Sequence, residues 1–211
     1  MISLIFSVLG SVLVIKTIEF LRKSDNEDRL KLSVRDKGIL VVIVSFFSML
    51  MVNKYYGKIE LIFYLYLTIY LIITGYIDYK TKKVYCFLNY ITMIVSVIFM
   101  FNQIEVGRDI TLALGSYIIY IVFSSILKMI KCYADGDNEI YIAIGYFVAS
   151  AGYNDFPLYF LIINMLLSSI IVALLNIKWF NLFKQKKRKS SEKIAFAPSI
   201  AIATILSVLM I

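Results

Sequence analysis

The chain has 211 residues, 61% of them hydrophobic, and a mean hydropathy of +0.83. Soluble domains average about 45–50% apolar residues, so the composition excludes an ordinary water-soluble domain. The net charge of +8 does not point to nucleic acid, because basic residues collect in the inner loops of membrane proteins, and no nucleic-acid partner is expected.

Taken in chain order, the apolar residues form blocks at about 1–20, 38–52, 60–77, 84–101, 110–130, 139–152, 157–177 and 194–211. A spanning helix takes about 20 mostly apolar residues. Barrel strands alternate apolar and polar positions, and runs such as Leu112–Leu127 do not. The expected fold class is all-α, a polytopic membrane bundle of about eight transmembrane helices. The second and sixth blocks are short, as tilted or bundle-buried spans are. The first block lacks a basic leader region and a small-residue cleavage site, so it reads as a span rather than a signal peptide.

Orientation follows from the loops. With the N terminus outside, the four inner loops and their edges hold eighteen Lys and Arg, whereas the outer ones hold Lys54, Lys58 and Arg108. An asymmetry of that size fits both termini outside and a multi-pass chain in the cytoplasmic membrane. The cluster Lys184–Lys189 is expected to meet anionic headgroups of the lipid bilayer.

Cys86 and Cys132 fall near the inner surface, where the compartment is reducing. The chain has no histidine. That excludes Ser-His-Asp and Cys-His nucleophilic hydrolysis and zinc chemistry of the HExxH kind. Neither a metal nor another cofactor is expected. Acid–base chemistry would fall to carboxylates, Lys or Tyr.

Ionisable groups at membrane depth are candidates for function. Loops and outer edges account for most acids. Asp78, Asp135, Asp137 and Glu139 remain, all at inner helix ends. Asp78 ends the third block and Asp137 opens the sixth, at one depth. Two carboxylates from different helices that meet share a proton, and one pKa rises. Such a pair hydrolyses a peptide without His, Ser, Cys or metal. Gly136 lets the backbone beside Asp137 approach a substrate strand or a partner helix. The stretch Gly145–Ala149 has small residues four apart, a spacing that permits close helix packing. The plainer alternative is that Asp137 is an N-cap and Asp78 pairs with the adjacent Lys80, Lys82 or Lys83.

The segment Ala134-Asp135-Gly136-Asp137 resembles the GxGD signature of membrane aspartyl proteases. With Asp78, Lys80, Lys82, Val84 and Asn89 upstream, and Ile194–Ala201 resembling a final-helix PFGP pattern, roughly residues 60–211 look like the type IV prepilin and preflagellin peptidases. Ala134 stands where that family has its first Gly, Glu139 where Lys is usual, and Ala195 and Ala197 where Pro and Gly are usual. The presenilin group shares the signature, but Ala197-Pro198-Ser199 departs from its PAL motif.

The resemblance implies catalytic Asp78 and Asp137. Gly136, through its bare backbone, and Asp135 and Glu139, through their charge, are expected to contact the substrate. It implies a prepilin-like precursor peptide as partner, cut at the cytoplasmic face. Two regions are expected: 1–59, two spans with a short basic loop at about 21–37 and no methyltransferase domain, and 60–211, a six-span peptidase core. The alternatives from other classes are a proton-coupled transporter and an inactive membrane scaffold. The oligomeric state is not legible in the sequence.

Overall fold

The computed structural model describes residues 2–105, 110–129, 135–150, 157–183 and 195–210, which are helical with short turns and contain no strand. In chain order the helices are α1 (Ile2–Asp25), α2 (Val34–Tyr55), α3 (Glu60–Thr81), α4 (Cys86–Glu105), α5 (Ile110–Met129), α6 (Asp135–Ser150), α7 (Pro157–Phe183) and α8 (Ala197–Met210). A 3-10 turn, Asp28–Leu30, separates α1 from α2. The first four helices are long and apolar enough to cross a membrane. Cys132, Ala134 and the Lys184–Lys189 cluster lie outside the described residues.

Several helices run past their apolar blocks, because hydropathy marks the buried stretch whereas capping chemistry sets the end. Helix α2 starts at Val34 rather than near 38. Ser33 caps it: the Ser33 hydroxyl accepts from the Asp36 N–H at 3.1 Å, and Asp36 Oδ2 accepts from the Ser33 N–H at 3.2 Å. Helix α3 runs to Thr81 and stops where Lys82 turns left-handed (φ 57°), its N–H donating to the Asp78 carbonyl at 2.9 Å. The prolines respect the same chemistry. Pro157 opens α7 and Pro198 is second in α8, where no intrahelical N–H is needed.

These boundaries correct two expectations. Asp78 lies within the last turn of α3 rather than at its end. Asp137 is third in α6 as described, within the first turn, so it is not the N-cap.

Helix α3 is the hub. About 67% of its apolar window is buried, against 33% in α1, α2 and α4, and it packs on α1, α2, α4 and α8. It carries little polar cost. The hydroxyls of Thr68, Thr74 and Thr81 donate to carbonyls one turn back, at 2.8, 3.0 and 2.8 Å. Around it, α6 packs between α4 and α5, and α7 between α5 and α8. Polar side chains join neighbouring helices: Tyr66 to Thr92 at 3.1 Å, Tyr141 to Ser168 at 2.7 Å and Asn164 to Thr204 at 2.7 Å. Large apolar side chains meanwhile face outward, among them Leu4, Leu9, Phe46, Ile62, Ile94 and Leu166. An apolar exterior tied by internal polar pairs suits a lipid surrounding better than water.

The ends of the bundle differ. At one end Lys80 pairs with Asp36 at 3.2 Å, joining the last turn of α3 to the first turn of α2, and Lys83 pairs with Glu27 at 2.7 Å, binding the turn after α3 to the loop after α1. At the other, Lys54 Nζ donates to the Val208 and Leu209 carbonyls at 3.0 and 2.8 Å, placing a cation on the C-terminal end of α8.

The Lys83 pair predicts a pH dependence. The hydrogen bond from Lys83 holds Glu27 below the usual carboxylate range, aided by the charges of Lys83 and Arg29. A depressed folded pKa contributes stability above the unfolded value, lost as pH falls through the folded one. Exposed pairs contribute little, so the effect is small. Lys83→Met is expected to lower Tm slightly at neutral pH, where the pair is fully formed, and to flatten the acid limb of a Tm-against-pH curve below about pH 4.5.

Candidate active site at one end of the bundle

Asp78 and Asp137 are 6% and 8% exposed, and no other acidic or basic side chain is buried among the described residues. The two differ in how the fold holds them.

Asp78 sits on the buried stripe of α3 that also carries Thr74 and Tyr70, one and two turns back. Its position is set by close approach of α8. A Cβ on Gly75 would lie 3.3 Å from the Pro198 backbone and 3.6 Å from Ala201 Cβ, so the small residue admits the start of α8 against α3. That brings Asp78 Oδ2 to 3.0 Å from the Ala197 N–H. The first amides of a helix lack intrahelical partners, and Asp78 supplies one from another helix. The Ile194–Ala201 segment, noted in the sequence for its resemblance, therefore meets the first aspartate directly through Ala197.

Asp137 lies behind Gly136 at the start of α6. A Cβ on Gly136 would meet Val84 Cγ2 at 2.8 Å, so Gly136 packs against the turn between α3 and α4. The turn at residues 82–85 therefore meets the backbone near both aspartates, through the Lys82 N–H to the Asp78 carbonyl and through Val84 to Gly136.

Helices α3 and α6 meet through Tyr64 and Phe147, ring centroids 5.9 Å apart. Asp78 follows Tyr64 by about 21 Å of helix, and Asp137 precedes Phe147 by about 15 Å, at 1.5 Å per residue, so both aspartates lie toward the same end of the bundle.

The expected contact residues separate. Asp135 is exposed on the rim, paired with Lys128 at 3.0 Å. Glu139 is half-buried and accepts from Asn89 Nδ2 at 3.2 Å, while Asn89 Oδ1 accepts from the Tyr70 hydroxyl at 2.6 Å. Glu139 thus closes a polar chain from α3 through α4 to α6. Next to Asp137, Asn138 accepts from the Ser124 hydroxyl at 2.5 Å.

Sequence reasoning missed Tyr70 and the Ala197 amide. The first was detectable as a polar group two turns from Asp78 in an apolar helix. The second carries no side-chain signal. Among the described residues no cluster of three His, Cys, Asp or Glu could hold a metal ion.

Compared with known proteins, the chain matches no family model, no curated protein and no solved structure.

Proposed function

We propose that the chain is a multi-pass aspartyl endopeptidase of the cytoplasmic membrane. It removes the leader from prepilin-like precursors at the inner face, with Asp78 and Asp137 as its acids. One observation carries this reading: the bundle buries two carboxylates, Asp78 and Asp137, and no other charged side chain among its described residues. Burying a carboxylate is costly unless hydrogen bonds or a charge partner offset the cost, and ionisable groups at membrane depth are candidates for function. The resemblance around Asp78, Asp137 and Ile194–Ala201 supports the same assignment.

In this mechanism the pair shares one proton. The ionised member takes a proton from water as the water oxygen attacks the scissile carbonyl carbon. The protonated member polarises the carbonyl oxygen. Collapse of the tetrahedral intermediate breaks the C–N bond, and a proton returns to the departing amine. The precursor's apolar helix lies in the bilayer and holds the bond at the depth of the dyad, so proximity supplies much of the acceleration.

The test is co-expression with a prepilin-like precursor, with leader removal followed on a gel. Loss of cleavage in both Asp78→Asn and Asp137→Asn is expected. Asp135→Asn should retain cleavage within about twofold, since an exposed ion pair contributes little. Full cleavage by both dyad variants would overturn the assignment.

A further inference from the structure

A cavity of about 710 Å³ opens between α2, α3 and α8 at the same end as the aspartates. Its walls are apolar, formed by Ile39, Ile43, Phe47, Leu71, Ile72 and Ile205. Its mouth is polar and includes Arg35, Asp36, Tyr76 and Lys80. Along α2 the slot runs from Arg35 to Phe47, about 18 Å of helix. One leaflet of the hydrocarbon core is about 15 Å deep. The slot is therefore an acyl-chain-length channel with a charged rim.

The rim is chemically specific. Lys80 is fixed, 3.2 Å from Asp36 and 5.5 Å over the Tyr76 ring. Arg35 is exposed and makes no ion pair among the described residues. The Tyr76 hydroxyl is buried without a hydrogen-bond partner, one turn deeper on α3 than Lys80. A donor buried in this way calls for an acceptor.

We propose that the slot holds one acyl chain of an anionic glycerophospholipid. The phosphate lies at Arg35 and Lys80, and a glycerol-ester carbonyl accepts from Tyr76. An apolar helix is the poorer occupant, because its backbone groups are satisfied internally and it offers neither an acceptor to Tyr76 nor an anion to Arg35. The inference rests on the membrane-spanning reading and is independent of the peptidase reading.

Native mass spectrometry of the full chain, extracted in mild detergent with equal phosphatidylglycerol and phosphatidylcholine, tests it. One phosphatidylglycerol per chain should persist, at least about fivefold over phosphatidylcholine, the gain of a charge-assisted contact. Arg35→Ala, on an exposed side chain, should erase that preference. Ile39→Trp should fill the slot from its exposed edge and remove the bound lipid. Equal retention of both lipids overturns the headgroup assignment, and undiminished retention in Ile39→Trp overturns the slot. Displacement of the lipid by a synthetic apolar helical peptide would make the slot a peptide site instead. Alkali-resistant retention of the chain in membranes separates failure of the slot from failure of the membrane reading.

Discussion

Asp78→Asn and Asp137→Asn are each expected to lower leader cleavage by about a thousandfold or more, the scale on which catalytic residues that act as a unit fail when one is removed. Asn cannot ionise, so neither variant can share the proton that the mechanism needs. At Asp78 the change also separates chemistry from architecture. Oδ2 of Asp78 accepts from the Ala197 N–H at 3.0 Å, and the amide oxygen of Asn keeps that bond. Asp78→Asn should therefore fold and melt close to the parent while losing cleavage. Asp78→Ala leaves a buried N–H without its acceptor, at a cost of about 1–3 kcal/mol, and should lower both Tm and cleavage. An Asp78→Asn variant that unfolds, or that still cuts the precursor, would assign Asp78 to architecture.

Gly145→Ala is expected to destabilise the bundle by about 1–3 kcal/mol, the usual cost of overpacking. For a chain of this size that is a fall in Tm of several degrees. The Gly145 backbone lies against the ring of Tyr120, and an added Cβ would overlap Tyr120 Cδ1. Tyr120 is 1% exposed between α5 and α6, so its ring has little room to retreat. Helix α6 carries Asp137, and the shift needed to admit the methyl displaces the site. Cleavage should fall along with stability. Shrinking the neighbour tests the cause: Tyr120→Leu combined with Gly145→Ala should lose less than the sum of the two single changes. Thermal melts of the four proteins in detergent give the coupling directly. Strict additivity would mean that Tyr120 is not what Gly145 accommodates.

Gly145 also illustrates what was readable in advance. Its spacing from Ala149 signals close helix packing, but not that an aromatic ring fills the gap. Gly75 lies in a plain apolar run and carried no such signal, yet it admits α8 and thereby sets the partner of Asp78. The helix ends show the same division. Apolar blocks located all eight helices, and the capping pair Ser33 and Asp36 was present in the sequence to extend α2 to Val34. The left-handed turn at Lys82 was not, since lysine has no preference for that conformation.

Local chemistry dictated that this chain would be helical, apolar on its outside and polarised between its ends, because hydropathy, loop charge and the cost of unpaired backbone in hydrocarbon act residue by residue. It also singled out Asp78 and Asp137, since few acids lie at the helix ends that loop charge marks as inner in the sequence reading. Which groups face them was decided by packing. The Ala197 amide, the Val84 side chain and the Tyr70–Asn89–Glu139 chain reach the site from other parts of the chain, through contacts that depend on how closely whole helices approach. A backbone N–H looks the same at every position in a sequence, and only the crossing of α8 over Gly75 gives this one a carboxylate.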